Sequence, residues 1–304
     1  MTAPYAIGVD VGGTKILAGI VARDGTVTRR RERATPHDSQ EHVVAELEAA
    51  VAELMNGDVA AVGFGVPSPI DQRRGVVVQS VNLPLEDIAL RDLMRERLGL
   101  PVGLDNDANA AAIGEWRAGA GRGVDDLVML TLGTGLGGGV IADGRPFRGA
   151  TGAGAELGHV VIVHDGRPCQ GVCRGRGHLE PYVTGLAAAA AAQEAFGPPV
   201  DAHRLVRLAD EGDETARSIL AEIGGYLGSG MGSFANIFEP ELIVIGGGFG
   251  VAAWEHLIPH AEAVFRREAL RPMRDTVRVV RAELGTAAGL IGAAFVAFEA
   301  LDAA

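Results

Sequence analysis

The chain has 304 residues, 47% hydrophobic and 22% charged, enough for one large or two ordinary domains with their own cores, which excludes a disordered tail or a small disulfide scaffold. Its formal charge of -12, from 39 acidic against 27 basic residues, would repel a phosphate backbone and argues against nucleic acid as the main partner. Met1 to Asp10 lacks a basic head followed by an apolar run, no run of about 18 apolar residues is free of glycine and charge, and two cysteines are few for a bridged secreted fold; the expectation is a cytoplasmic chain that uses no membrane.

Tyr5 to Asp10 alternates and is β-rich; a glycine turn leads to Ile16 to Ala22, and Gly25 opens Thr26 to Arg33, which predicts three consecutive antiparallel strands. Val43, Val44, Leu47, Val51 and Leu54 have helical spacing, with Asp38 or Ser39 as cap and Asn56-Gly57 as stop. Val59 to Val66 reads as a buried strand, Ile88 to Leu98 as a short helix, Val102 to Leu104 as a strand and Ala108 to about Ala118 as a helix. Strand and helix alternate, so the class is α/β. A second cycle begins with the apolar strand Leu127 to Leu132, a glycine turn over Gly133 to Gly139, and a returning strand Val140 to Ala142. Helices follow near Leu186 to Ala195, Asp213 to Phe238, Ala252 to Leu270 and Ala287 to Leu301, with strands at Glu241 to Ile245 and Val277 to Arg281. The small residues of these late helices permit close packing, in the core or between subunits.

Strand, glycine turn with threonine, strand thus occurs twice, around Asp10-Val11-Gly12-Gly13-Thr14-Lys15 and around Leu132-Gly133-Thr134-Gly135-Leu136-Gly137. Two unrelated hairpins would read the same way, but an internally duplicated fold with a cleft between its halves accounts for both. Turns with little side-chain bulk let backbone N–H groups approach phosphate oxygens, and Gly246-Gly247-Gly248 after a strand is a third. None matches the P-loop or the Rossmann fingerprint. From about Ile7 to Phe295 the order and spacing of these segments resemble the ROK family of sugar kinases and repressors, with its actin-like, hexokinase-like ATPase fold of duplicated ribonuclease H-like halves.

That resemblance implies two lobes, residues 1–118 joined by the C-terminal helix at about 290–304, and 119–289 with a zinc loop at 159–180. It puts Gly12, Gly13, Thr14, Lys15, Thr134, Gly135 and Gly137 at ATP phosphates, Gly247 and Gly248 at the adenosine, and Asp10 near Mg²⁺ through water, as a hard cation with few protein ligands requires. Lys15, the sole lysine, is either a phosphate contact or a charge at a strand start.

In Leu104-Asp105-Asn106-Asp107-Ala108-Asn109 a strand hands over to a helix, a junction that exposes side chains to a cleft. Phosphoryl transfer to a sugar hydroxyl needs a carboxylate that orients the hydroxyl and accepts its proton. Asp107 matches the family's base and Asn106 its sugar contact; without the resemblance Asp107 reads as a helix cap. Asp105, nearer the strand, reaches a cleft less readily. By resemblance Asn82, Glu156, His159 and Glu180 also contact the sugar.

His159, Cys169, Cys173 and His178 offer two imidazoles and two thiolates, a set that suits structural tetrahedral Zn²⁺. Family members with zinc use three cysteines in a Cys-x-Cys-Gly-x-x-Gly-Cys run; here the first cysteine lies two residues further away and His178 stands for the last, with His164 as a substitute ligand. The expected activity is transfer from ATP to a hexose 6-hydroxyl, glucose first, with N-acetylmannosamine, N-acetylglucosamine or fructose as alternatives. Val81-Asn82-Leu83-Pro84 resembles the glucokinase sugar loop, although the tryptophan usual after it is absent. A sugar-responsive regulator without catalysis is the reading of another class; the family's repressors carry a helix-turn-helix before the first turn, where nine residues precede Asp10 here. The resemblance also implies a homodimer or homotetramer.

Overall fold

The computed structural model describes residues 4–80, 82–171 and 173–304; Met1–Ala3, Val81 of the sugar loop and Val172 of the cysteine loop lie outside the described residues. The first half lays down β1 (Tyr5–Val11), β2 (Lys15–Val21) and β3 (Val27–Ala34), then α1 (Gln40–Ala52) and β4 (Val59–Val66). Ser39 caps α1 by accepting the His42 N–H, and Val43, Val44, Leu47 and Val51 turn inward, as their spacing predicts. Three short strands follow, β5 (Ile70–Asp71), β6 (Val76–Gln79) and β7 (Glu86–Ile88), a small antiparallel sheet that the sequence reading does not contain. Pieces of two to four residues are too short for a readable period. Next come α2 (Leu90–Leu98), β8 (Val102–Asn106) and α3 (Asp107–Ala118).

The second half opens with β9 (Leu127–Leu132), β10 (Leu136–Ala142) and β11 (Arg145–Pro146). It continues through α4 (Glu180–Val183), α5 (Gly185–Phe196), α6 (Ala202–Asp210), α7 (Glu214–Phe238), β12 (Leu242–Gly246), α8 (Gly248–Ala252), α9 (Trp254–Glu268), α10 (Met273–Thr276) and β13 (Arg278–Arg281). The chain then returns to the first half as α11 (Ala288–Asp302). The two large sheets share one plan, β3-β2-β1-β4-β8 and β11-β10-β9-β12-β13. In each, the hairpin strands are antiparallel and the later two strands add in parallel beside the first. Duplication is therefore real, and unrelated hairpins are excluded.

One expectation needs correction: Gly137, Gly138 and Gly139 are not turn residues but strand residues of β10, opposite Thr131, Leu130 and Met129. Their lack of side chains serves packing. A Cβ on Gly137 would stand 2.8 Å from the Ala108 Cβ, one on Gly139 2.5 Å from the Ala112 Cβ, and one on Gly138 2.7 Å from Leu157. α3 thus lies directly on β10, and the turn proper shrinks to residues 133–135, equal in length to residues 12–14 of the first hairpin.

A row of paired glycines, Gly19, Gly8, Gly63 and Gly103, crosses the first sheet. α11 rests on it so closely that a Cβ at Gly8, Gly63 or Gly103 would collide with the backbone at Leu290, Ala293 or Val296. Gly285–Asp302 is long and apolar enough by composition to cross a membrane, but Leu290, Ala294, Ala297 and Phe298 are buried against this sheet, as in a core helix. Two glycines of α7 are likewise used internally: a Cβ at Gly224 would stand 2.5 Å from the Leu257 carbonyl of α9, and one at Gly228 would collide with that of Ala261.

Both chain crossings between the halves meet at Glu115, fully buried in α3. Its carboxylate accepts the N–H groups of Ala120 (2.9 Å), Glu283 (3.1 Å) and Leu284 (2.8 Å), tying the outgoing connection to the returning one. A buried charge is tolerated when its oxygens are satisfied in this way.

Candidate active site

Asp10 is the penultimate residue of β1, at the mouth of the first glycine turn. The turn closes by the Gly12 N–H donating to the Lys15 carbonyl (2.9 Å) and is braced by Thr35, whose hydroxyl donates to the Gly12 carbonyl (2.8 Å). Asn82 lies beside it, its Cβ 3.7 Å from where a Gly13 Cβ would be. The Asp10 carboxylate packs over Gly289 in the first turn of α11, where any larger residue would displace it. Burial, and next the charge of Asp107, raise its pKa to about 7, against the lowering pull of Lys15. The Lys15 amine itself pairs with Glu32 across the exposed strand edge at 2.9 Å.

At the junction of β8 and α3 the three polar residues divide the work. Asn106 caps the helix, its Oδ1 accepting from Ala108 (2.8 Å) and Asn109 (3.1 Å), so its amide NH₂ is the part left for a ligand beyond a long contact to the Ser68 carbonyl. Asp105 is fully buried and bound to Arg148 at 2.6 Å. Asp107 begins the helix, and one oxygen accepts the Ala108 N–H at 2.8 Å, leaving the other free. Burial first, with Glu156 adding, raises its pKa to about 6, although the Ala108 N–H bond works the other way.

Glu156 precedes a single turn of 3₁₀ helix, Leu157–His159, and follows Ala155, whose φ of 63° is unusual for a residue with a side chain. Its pKa is raised by burial and by Glu180, partly offset by His159. Glu180 opens α4; one oxygen accepts the Leu136 N–H at 3.1 Å, just after the second glycine turn, and the other lies 3.7 Å from the Cys169 sulfur. Asp10 thus feels Asp107, Asp107 feels Glu156, and Glu156 feels Glu180. Four carboxylates from four separate segments thus stand in a chain of mutual electrostatic influence.

His159, Cys169, Cys173 and His178 also converge, with one ligand atom from each within 4.8 Å of all the others. The two Nδ1 atoms are 3.2 Å apart, Cys169 Sγ is 3.5 Å from His159 Nδ1, and Cys173 Sγ is 3.7 Å from His178 Nδ1. Zinc bonds of about 2.0–2.1 Å to nitrogen and 2.3 Å to sulfur imply tetrahedral edges of about 3.3 Å and 3.6 Å, so the donor set fits that ion. His159 turns Nδ1 to the cluster, which leaves Nε2 for a second partner. His164 is not among the four.

Gly247 caps α8 with φ 81°, and Gly248 is its first residue. Thr35, Glu115 and Arg148 escape sequence reading. A buried threonine or glutamate and one arginine among many carry no local signature, and only their partners reveal them.

A duplicated sheet plan, each half opened by a hairpin with a three-residue glycine-bearing turn, defines an actin-like, hexokinase-like ATPase fold shared with the solved structures it matches. The ROK family model matches residues 6–300, and the chain belongs to the ROK family. The glucokinase of Thermotoga maritima is 37% identical over 306 residues, covering 95% of this chain and 95% of that protein. The crystal structure of a ROK family glucokinase from Streptomyces griseus in complex with glucose and AMPPNP is 37% identical, with a TM-score of 0.84 over 97% of this chain and 99% of that one. The ROK hexokinase from Thermus thermophilus is 36% identical, with a TM-score of 0.84 over 99% of this chain and 100% of that one.

Proposed function

We propose that this protein is an ATP-dependent glucokinase, transferring the terminal phosphoryl group of ATP to the 6-hydroxyl of glucose. The observation that carries this reading is Asp107, a carboxylate at a strand–helix junction with one free oxygen and a pKa raised to about 6 beside Asp10 and Glu156. A base poised near neutral pH takes a hydroxyl proton as the oxygen attacks in line, while positioning and charge neutralisation supply the rest. The Asn106 amide, Asn82, Glu156, Glu180 and the free nitrogen of His159 bind the sugar hydroxyls. Gly12, Gly13, Thr14, Thr134, Gly135 and Gly137 lie along the ATP phosphates, and Gly247 and Gly248 at the adenosine. Lys15 reaches a phosphate only by leaving Glu32.

Asp10 would hold Mg²⁺ through water; like-charged Asp10 and Asp107 fit a hard cation, which neutralises phosphate charge when bound. His159, Cys169, Cys173 and His178 would hold a structural zinc that fixes the loop carrying the sugar ligands. Two free cysteines and the need for ATP suit a cytoplasmic setting. Residues 1–118 with about 290–304 would close against 119–289 about the Glu115 clamp, excluding water. A homodimer or homotetramer would bury the exposed Phe147, Ile237 and Leu270.

The test is ADP release from Mg-ATP with glucose, fructose, mannose, N-acetylglucosamine and N-acetylmannosamine. Glucose should give the highest kcat/KM. Another sugar in front would move the substrate and leave the chemistry; sugar binding without ADP release would make the protein a sugar-responsive regulator.

A further inference from the structure

Asp105 stands two residues before Asp107, fully buried, and its contacts reach into the second half of the chain. Its Oδ1 accepts the Asn106 N–H (2.9 Å) and the Asn109 amide (3.2 Å), which sets the first turn of α3. Its Oδ2 accepts Nε of Arg148 at 2.6 Å, and Nη2 of the same guanidinium donates to Glu299 of α11 at 2.9 Å. Arg148 follows β11 in the second half. Its carbonyl accepts the Gly154 N–H (2.9 Å), closing the loop that runs directly into Ala155 and Glu156. A second tie runs parallel: the Thr151 carbonyl accepts the Gln72 N–H (2.7 Å), and the Gln72 side chain donates to the Leu104 carbonyl of β8 (2.8 Å).

We propose that Arg148 is a positioning residue for phosphoryl transfer, its guanidinium locking the sugar-contacting segment 155–159 to the strand end that presents Asp107. The proposal rests on the glucokinase reading for its kinetic consequence. A planar fork that engages two carboxylates on different elements fixes direction as well as distance, which a single ammonium does not. Transfer is sensitive to such placement, since an error near 1 Å can cost about a hundredfold.

Amide hydrogen exchange tests the link without reference to activity. Asp105→Asn, made in β8, should speed exchange across 149–159 at least about fivefold, and Arg148→Met should do the same across 105–110. Changes confined to the mutated side overturn the coupling. In kinetics, Arg148→Met should lower kcat with glucose at least about tenfold and raise the glucose KM, while the ATP KM stays within about twofold. Asp105→Asn with Arg148→Met together should regain melting temperature, because no buried charge is left unpaired, without regaining kcat. Return of kcat to within about twofold of the unmodified protein would mean that Arg148 only neutralises Asp105, and would overturn the proposal. If Arg148→Met does not fold, Arg148→Lys decides: kcat reduced at least about threefold at an unchanged melting temperature is expected, and unchanged kcat refutes. An unmodified protein that turns over no sugar defeats the glucokinase reading, while the exchange measurements still decide the coupling.

Discussion

Replacing Asp107 by Asn removes a buried charge and a base while leaving the helix start almost unchanged, so stability and activity should move in opposite directions. Asn keeps the shape and one oxygen for the Ala108 N–H, now held at 2.8 Å, so any capping contribution largely survives. What disappears is a carboxylate whose pKa is about 6 in the fold against 3.8 ordinarily. The fold therefore holds a proton that the unfolded chain releases: its stability is fully present below pH 3.8 and falls as pH rises through about 6. Above that, the ionised carboxylate costs the fold about 3 kcal/mol. At pH 7.5 Asp107→Asn should accordingly raise the melting temperature by roughly a few degrees, with further relief at Asp10, whose pKa Asp107 helps to raise. Near pH 4 the difference should close. Over the same substitution, glucose-dependent ADP release should fall by about 10²–10⁴, the usual contribution of a positioned base. In the unmodified protein kcat/KM should decline as pH falls through about 6, since protonation removes the acceptor. A lower melting temperature at pH 7.5, or an acid limb near pH 4, would refute the reasoning.

The four-ligand cluster predicts about one zinc per chain by elemental analysis, with removal by a strong chelator raising the glucose KM more than the ATP KM. Retention of one zinc per chain by His178→Ala together with Cys173→Ser would rule this site out. Gly63→Ala should be severe for so small a change, because its Cβ would collide with the Ala293 carbonyl of α11. We expect a loss of about 2–3 kcal/mol in denaturant unfolding, at the upper end for overpacking; a change below about 0.5 kcal/mol would mean that α11 does not bear on the glycine row.

Most of the long elements and the two hairpins with their glycine turns are legible in the sequence, whereas β5–β7, β11 and α6 are not, and Asp107 stands out as a base only through the family resemblance. Alternation, helical spacing and turn residues are local properties, readable over ten residues, and a strand–helix junction is one of them. The limits of that reading are equally physical. Gly137 to Gly139 look like turn residues until α3 and Leu157 are seen to occupy the space above β10. Gly224 and Gly228 of α7 suit a core or a subunit interface equally, and only the approach of α9 assigns them to the core. Asp10, Asp107, Glu156 and Glu180 come from four segments, and nothing in their spacing says that Asp107 raises the pKa of Asp10, Glu156 that of Asp107, and Glu180 that of Glu156. Asp105 reads as the carboxylate less able to reach the cleft, but its partner Arg148 lies 43 positions away and is one arginine among many. Tertiary structure alone decided these pairings, because burial and Coulomb interaction depend on distance in space, and the fold sets that distance by packing separated elements together.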